Sequence, residues 1–81
     1  MKILSYIRFT EMDDTIQWLE KHNVFYAPCN LRKSIFVDTV SGEIEIVPTD
    51  YLVMTDQSDL PDVYAESAFL EIDPECFVDY S

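Results

Sequence analysis

The charge of this chain is divided unequally along its length, and this division limits how its second part can fold. Between residues 34 and 81 there are twelve acidic residues and no basic one, whereas all five lysines and arginines lie within the first 33 residues. Isoleucine, valine, leucine and aromatic residues lie between these acids. A disordered acidic tail contains few residues of that kind. We therefore predict that the acidic part is folded.

The composition indicates one small domain. The chain has 81 residues, of which 48% are hydrophobic, and a single glycine, so it contains no flexible linker or low-complexity segment. We therefore expect residues 1–81 to form a single acidic domain. Its core is small at this length, and the net charge of −11 lowers its stability further through repulsion between like charges.

Several classes of protein do not fit this sequence. No apolar stretch approaches the ~20 residues of a membrane span, and the apolar segment behind Lys2 is too short for a signal peptide, so we expect a cytoplasmic location. Cys29 and Cys76 lie far apart in the sequence and outside any C-x-x-C pair, which favours reduced thiols. One glycine cannot build a phosphate-binding loop or a dinucleotide fingerprint.

The first third of the chain predicts a strand followed by a helix. Residues 3–9 alternate and are rich in β-branched and aromatic side chains. Met12, Ile16 and Leu19 have the spacing of an apolar helix face, and Asp13 and Asp14 suit a first helical turn. We therefore predict a strand over 3–9, a helix over 11–22, a short strand over 24–27 and a loop over 28–32.

The rest of the chain predicts mainly strands. Gly42 provides the positive φ of a tight hairpin turn, which follows Val40 and Ser41. Asp73 suits a helix N-cap, with Pro74 in the first helical position. The predicted elements are strands over 33–39, 43–47, 51–55 and 66–72, a turn at 48–50, an exposed loop over 56–62 and a short C-terminal helical turn that presents Phe77 and Tyr80 as anchors.

These elements together predict an α+β fold. We expect one main N-terminal helix to pack on an antiparallel sheet of four to six strands, with a short helical turn at the C-terminus.

Two short motifs resemble a group of small, uncharacterised tailed-phage proteins. The run Pro48-Thr49-Asp50-Tyr51-Leu52-Val53 is similar to the Pro-Gly-Asp-Tyr-Ile-Val-like turn and strand of that group, and residues 73–80 are similar to its closing Pro-acid-x-Phe-x-x-Tyr segment. This chain departs from the pattern at Thr49, where the group usually has glycine, and it lacks the group's basic start and intervening Gly-Glu strand. The resemblance implies a phage origin and a fold rather than a shared biochemical activity.

No residue pattern in the sequence indicates catalysis or a cofactor. The single histidine, His22, falls at the end of the predicted helix, and nothing in the spacing brings it to Cys29 or Cys76. No stretch matches the twelve-residue calcium loop. Aromatic residues such as Trp18 and Phe25 could line a ligand pocket, although in a small domain they more often form the core. We therefore predict no enzyme, no cofactor and no metal site, and a sponge for small ligands or metal ions stays a third alternative.

The acidic residues themselves are the main functional candidates. Residues two apart on a strand are about 6.6 Å apart, and successive phosphates along a DNA strand are roughly 7 Å apart, given an axial rise of ~3.4 Å at a radius of about 10 Å. Glu43 and Glu45 have this spacing, and with Ile44 and Ile46 pointing inwards we expect both to face solvent. The candidate partner-binding residues are Asp38, Glu43, Glu45, Asp56, Asp59, Asp62, Glu66 and Glu71.

The sequence therefore predicts a non-catalytic phage protein that binds and inhibits a host nucleic-acid-binding protein by mimicking DNA, as anti-restriction, anti-CRISPR or host-takeover proteins do. Its expected partner is a host protein with a basic surface, without direct binding to nucleic acid or membrane, and the chain itself is expected to be a monomer or homodimer. The alternative is an accessory or structural interaction module whose acidity is incidental, because acidic surfaces also serve solubility alone.

Overall fold

The computed structural model describes residues 1–77. Within this range the chain forms six strands, two α-helices and one 3₁₀ turn. In chain order they are β1 (Ile3–Arg8), α1 (Met12–Lys21), β2 (Tyr26–Cys29), β3 (Ser34–Thr39), β4 (Gly42–Ile46), β5 (Tyr51–Thr55), β6 (Asp62–Tyr64), α2 (Glu66–Leu70) and the 3₁₀ turn (Pro74–Cys76).

The strands form two antiparallel sheets of three strands each, where the sequence predicted one sheet of four to six. Sheet 1 has the order β1-β5-β6 and sheet 2 has the order β2-β3-β4. The division occurs at the turn after β4. There the Phe9 N–H donates to the Asp50 carbonyl at 2.8 Å and the Thr49 N–H donates to the Phe9 carbonyl at 2.9 Å. These bonds bring β5 to β1 instead of leaving it beside β4, so the predicted α+β class is confirmed but the single sheet is wrong.

The turn contains a β-branched residue in an unfavourable conformation. Thr49, the position at which the chain departs from the tailed-phage pattern, has a φ of 86°. Positive φ values favour glycine, because the side chain of any other residue crowds the backbone there.

The buried core lies between the two sheets and α1. Its members are Phe9, Leu19, Val24, Ile35, Val37, Ile46 and Leu52, with Met12 and Ile16 packed against them. The predicted apolar face of the helix is therefore confirmed. The helix ends close to the predicted position, before Asn23, which takes a left-handed conformation with a φ of 57°.

The β3–β4 hairpin was predicted closely. Thr39 pairs with Gly42, Val40 and Ser41 form the loop, and the φ of Gly42 is 102°, as expected. The Thr39 hydroxyl also donates to the Gly42 carbonyl at 2.6 Å. The side-chain hydrogen bond of Thr39 and the backbone conformation of Gly42 therefore both stabilise the same β3–β4 register.

The predicted loop over 56–62 is confirmed for residues 56–61, but the segment that follows it was predicted wrongly. The strand predicted over 66–72 is instead the helix α2, and a short strand, β6, begins at the last residue of the predicted loop. Glu66, Ala68 and Leu70 all favour helix over strand. The helix also lets Phe69 stack on Tyr51 of β5, with ring centres 3.8 Å apart.

The last described residues, 73–77, fold as the sequence predicted. The Glu75 N–H donates to the Asp73 Oδ1 atom at 3.0 Å, so Asp73 is the N-cap of the 3₁₀ turn. The ring of Phe77 lies 5.6 Å from that of Tyr6 and 5.8 Å from that of Phe69. The predicted anchoring role of Phe77 is thus confirmed, whereas Tyr80 lies outside the described residues.

Candidate functional site

Three of the eight candidate carboxylates share the outer face of sheet 2. Ile35 and Val37 of β3 are fully buried, so the residues that alternate with them point away from the core. Asp38 is one of these residues, and it lies directly opposite Glu43 of β4. Glu45 lies two residues further along β4, on the same face as Glu43. We call these three residues the sheet 2 carboxylates.

Asp38 and Glu43 form a close pair of like charges. The Asp38 N–H donates to the Phe25 carbonyl at 3.1 Å, on the side of β3 that faces β2. Asp38 and Glu43 are therefore a pair without mutual backbone hydrogen bonds, for which the Cα atoms are about 4.5 Å apart and the side chains are close. Like charges placed opposite each other in this way destabilise a sheet. A cation brought to this pair would relieve the repulsion.

Glu45 is less available than the sequence predicted. The Ser34 hydroxyl donates to its Oε2 atom at 2.5 Å, and Arg32 Nη1 lies 3.4 Å from its Oε1 atom. Its side chain is only 28% exposed, while Glu43 is exposed. The expectation that both glutamates face solvent together therefore needs correction, because Ser34 and Arg32 draw Glu45 along the sheet and partly neutralise it.

Three other candidates have local structural roles. Asp56 accepts a hydrogen bond from the Lys2 N–H at 2.9 Å and closes the end of the β1–β5 ladder. Asp62 accepts from the Val63 N–H at 2.9 Å. Glu66 lies 3.7 Å from Arg8, in an exposed ion pair of the kind that contributes little stability.

The eight predicted residues thus divide among three parts of the fold. Asp38, Glu43 and Glu45 lie on sheet 2, Asp56, Asp59 and Asp62 follow β5, and Glu66 and Glu71 lie on and just after α2. The β3–β4 hairpin contacts the segment that carries the second group, since the Val40 N–H donates to the carbonyl of Pro61, the residue before Asp62, at 3.1 Å. Sequence spacing alone could identify the pair on β4, but it could not place Asp38 beside it or separate the other residues.

The imidazole of His22 is one of two buried polar side chains in the described part of the chain that lack a hydrogen-bond partner, the Thr15 hydroxyl being the other. The Nε2 atom of His22 is buried without a hydrogen-bond partner among residues 1–77, and its ring lies 4.5 Å from that of Trp18. Burial and, to a lesser extent, the neighbouring charge of Lys21 lower the pKa of His22 below its usual 6.5. This environment favours the neutral imidazole.

The other candidate ligands do not gather in the described part. Within residues 1–77, Cys29 and Cys76 are free thiols, each half-buried. No group of three His, Cys, Asp or Glu residues in this range could hold a metal ion.

Sequence reasoning missed two apolar features. Tyr6, Tyr51, Phe69 and Phe77 form an aromatic cluster on the outer face of sheet 1, which the wrong strand at 66–72 concealed. At the ends of β2, Phe25 is 83% exposed and Leu31 is 96% exposed. The expectation that aromatic residues belong to the core therefore holds for Phe9, which is buried, and is wrong for Phe25.

None of the helices in the described residues is long and apolar enough to cross a membrane. In comparisons with known proteins, no family model matches the chain, and no curated protein or solved structure is significantly similar to it.

Proposed function

We propose that this protein is a non-catalytic phage protein that binds and inhibits a host protein with a basic, nucleic-acid-binding surface. The observation that carries the proposal is the grouping of Asp38, Glu43 and Glu45 on one face of sheet 2. The phage origin in this proposal derives from the tailed-phage resemblance of the two motifs. The cytoplasm of the host is the compartment in which such a partner would be met.

Charge complementarity is the physical basis of the proposal. A protein surface that binds DNA presents lysine and arginine at positions that match a row of phosphates. The backbone positions of Glu43 and Glu45 repeat at about 6.6 Å along β4, close to the roughly 7 Å between phosphates of one strand. Of the two carboxylates, Glu43 is the exposed one, whereas Arg32 and Ser34 already contact Glu45. Asp38 adds a carboxylate beside this row. The net charge of −11 would also accelerate the encounter with a basic partner.

The first experiment is capture of the partner. Tagged protein is incubated with host lysate at low and at high salt, and the captured proteins are identified by mass spectrometry. The proposal predicts a nucleic-acid-binding protein that is lost at high salt, because exposed charges are screened within about 8 Å at physiological ionic strength. Capture that resists salt, of a protein without any nucleic-acid function, would contradict it.

Two matched variants then locate the site. Glu71 was a candidate from the sequence, but it lies just after α2 and outside sheet 2. Glu43 and Glu71 are both exposed acids, so Glu43→Lys and Glu71→Lys change the net charge equally, one at the proposed site and one away from it. We expect Glu43→Lys to weaken binding of the captured partner roughly tenfold, since it reverses a charge at the interface. Glu71→Lys should weaken it much less. Equal losses would mean that total charge matters and that sheet 2 is not the site.

The exposed side chains of Phe25 and Leu31 favour a second candidate function. Large apolar residues at 83% and 96% exposure at the two ends of one strand are suited to apolar contact with another protein. In that case the chain is an accessory module of a complex and its acidity serves solubility. Phe25→Ser and Leu31→Ser should then abolish a capture that is insensitive to salt.

A further inference from the structure

We propose that the free edge of β4 binds an extended basic segment of the partner as a fourth strand of sheet 2, antiparallel to β4 like the other strand pairs of the fold. This inference rests on the proposed function and specifies how the partner is held. The edge offers backbone hydrogen bonds as well as charge, so it recognises a strand and not merely a positive surface.

The register determines which backbone groups point outwards. β4 is an outer strand of sheet 2, and no strand among residues 1–77 pairs with its other side. Because Asp38 directs its N–H to the Phe25 carbonyl, the Asp38–Glu43 pair has no mutual backbone bonds, and the N–H and C=O groups of Glu43 point away from β3. The same holds two residues later at Glu45. These groups are donors and acceptors that an added strand could satisfy.

The other sheet edges are less suitable. β2 has only four residues and contains Pro28, which has no N–H to donate. β6 has three residues. The edge of β1 is partly occupied, since Phe77 forms a bridge with Ile3. Of the edges in the described part of the chain, β4 is therefore the longest that lacks both proline and a bridging residue.

The side chains of β4 define the sequence of the occupant. Residues of the added strand that lie opposite Glu43 and Glu45 share a face of the sheet with the sheet 2 carboxylates. Lysine or arginine at these positions would form cross-strand ion pairs. The residue between them lies opposite Ile44, which is half-buried, so an apolar side chain fits that position. A second copy of this chain does not fit, because pairing β4 with β4 would bring further glutamates together. The occupant therefore alternates basic and apolar residues.

Arg32 is an internal competitor for this segment. It already lies 3.4 Å from Glu45, in an ion pair whose arginine side chain is 67% exposed. Replacing it by a neutral residue makes Glu45 available to the occupant. We therefore expect Arg32→Gln to strengthen binding of an alternating basic peptide about threefold, the scale of one exposed ion pair.

The decisive test uses synthetic octapeptides of alternating lysine and valine. When a lysine lies opposite Glu43, its amide faces β4 and the valine amides face solvent. Methylation of the lysine amides should therefore weaken binding about tenfold through lost hydrogen bonds, and methylation of the valine amides should not. On adding the unmodified peptide, hydrogen exchange should slow about tenfold at the Glu43 and Glu45 amides. Exchange at the Ile44 amide, which faces β3, is the internal control.

The outcomes separate this inference from the proposed function. Equal, salt-sensitive binding of all three peptides would overturn strand addition while leaving the charge-based function intact. Unchanged exchange at Glu43 and Glu45 under saturating peptide would likewise overturn it. The proposed function fails separately, through salt-resistant capture from lysate.

Discussion

At the scale of single residues, Thr49 has a conformation that its side chain opposes. Its φ of 86° is held by the hydrogen bond from its N–H to the Phe9 carbonyl, at the turn that separates the two sheets. A residue kept in such a conformation costs about 1–3 kcal/mol. Glycine removes this strain but adds about 0.4–1 kcal/mol of conformational freedom to the unfolded chain.

We therefore expect Thr49→Gly to raise the free energy of unfolding by about 1 kcal/mol. Urea denaturation followed by circular dichroism measures the change. Thr49→Ala is the control, because it shortens the side chain but keeps the Cβ atom that causes the strain, and it should gain less. A glycine variant that is less stable than the parent would show that the turn is not strained.

His22 provides a second prediction at this scale. Because its pKa is lowered in the folded protein, it binds a proton more readily when unfolded. The contribution of His22 to stability is therefore fully present above pH 6.5, and it is lost as the pH decreases through that value towards the lower folded pKa. The neighbouring charge of Lys21 also opposes protonation, after the larger effect of burial.

The comparison of parent and His22→Gln isolates this effect from the many carboxylates. We expect the parent to lose more stability than the variant between pH 8 and pH 5.5 in urea denaturation. NMR titration of the His22 ring measures the folded pKa directly. A folded pKa above 6.5, or the same pH dependence in both proteins, would contradict the prediction.

At the scale of elements, α2 covers the outer face of sheet 1 with one aromatic residue. Phe69 stacks on Tyr51 at 3.8 Å and lies 5.1 Å from Tyr6, whereas its neighbour Leu70 is 73% exposed. We expect Phe69→Ala to lower the free energy of unfolding by about 2–3 kcal/mol, below the range for fully buried aromatics because Phe69 keeps some exposure. Leu70→Ala should change it by less than about 0.5 kcal/mol. Urea denaturation of both variants is the measurement, and equal losses would mean that α2 does not pack through Phe69.

The elements that the sequence predicted well are those whose local signals agree with their packing. The alternation in β3 and β4, Gly42 at the hairpin and the stripe of Met12, Ile16 and Leu19 each have one interpretation. α2 was missed because its five residues have too few turns for a helical period to appear, and the aromatic side chain of Phe69 favours strand.

The partition into two sheets, and with it the candidate site, depends on contacts that are remote in sequence. β5 pairs with β1 through the turn at Thr49, and no local pattern states which strand a turn leads to. Spacing on β4 predicted Glu43 and Glu45 together, but the ion pair of Glu45 with Arg32 spans a loop and a strand. The local pattern therefore predicts which of the acidic residues face outwards. Tertiary contacts decide which of these residues remain available to a partner.

At the scale of the whole molecule, the same electric field opposes folding and favours binding. The folded chain concentrates a net charge of −11, and Asp38 lies directly opposite Glu43 on the neighbouring strand. Salt screens both kinds of repulsion.

Raising NaCl from 20 to 500 mM should therefore increase the free energy of unfolding in urea, while the affinity for a basic partner decreases. Asp38→Asn should reduce the salt dependence of folding, because it removes one member of the Asp38–Glu43 pair of like charges. If stability did not rise with salt, repulsion would not be a significant cost of this fold, and the acidic face would need no cation to relieve it.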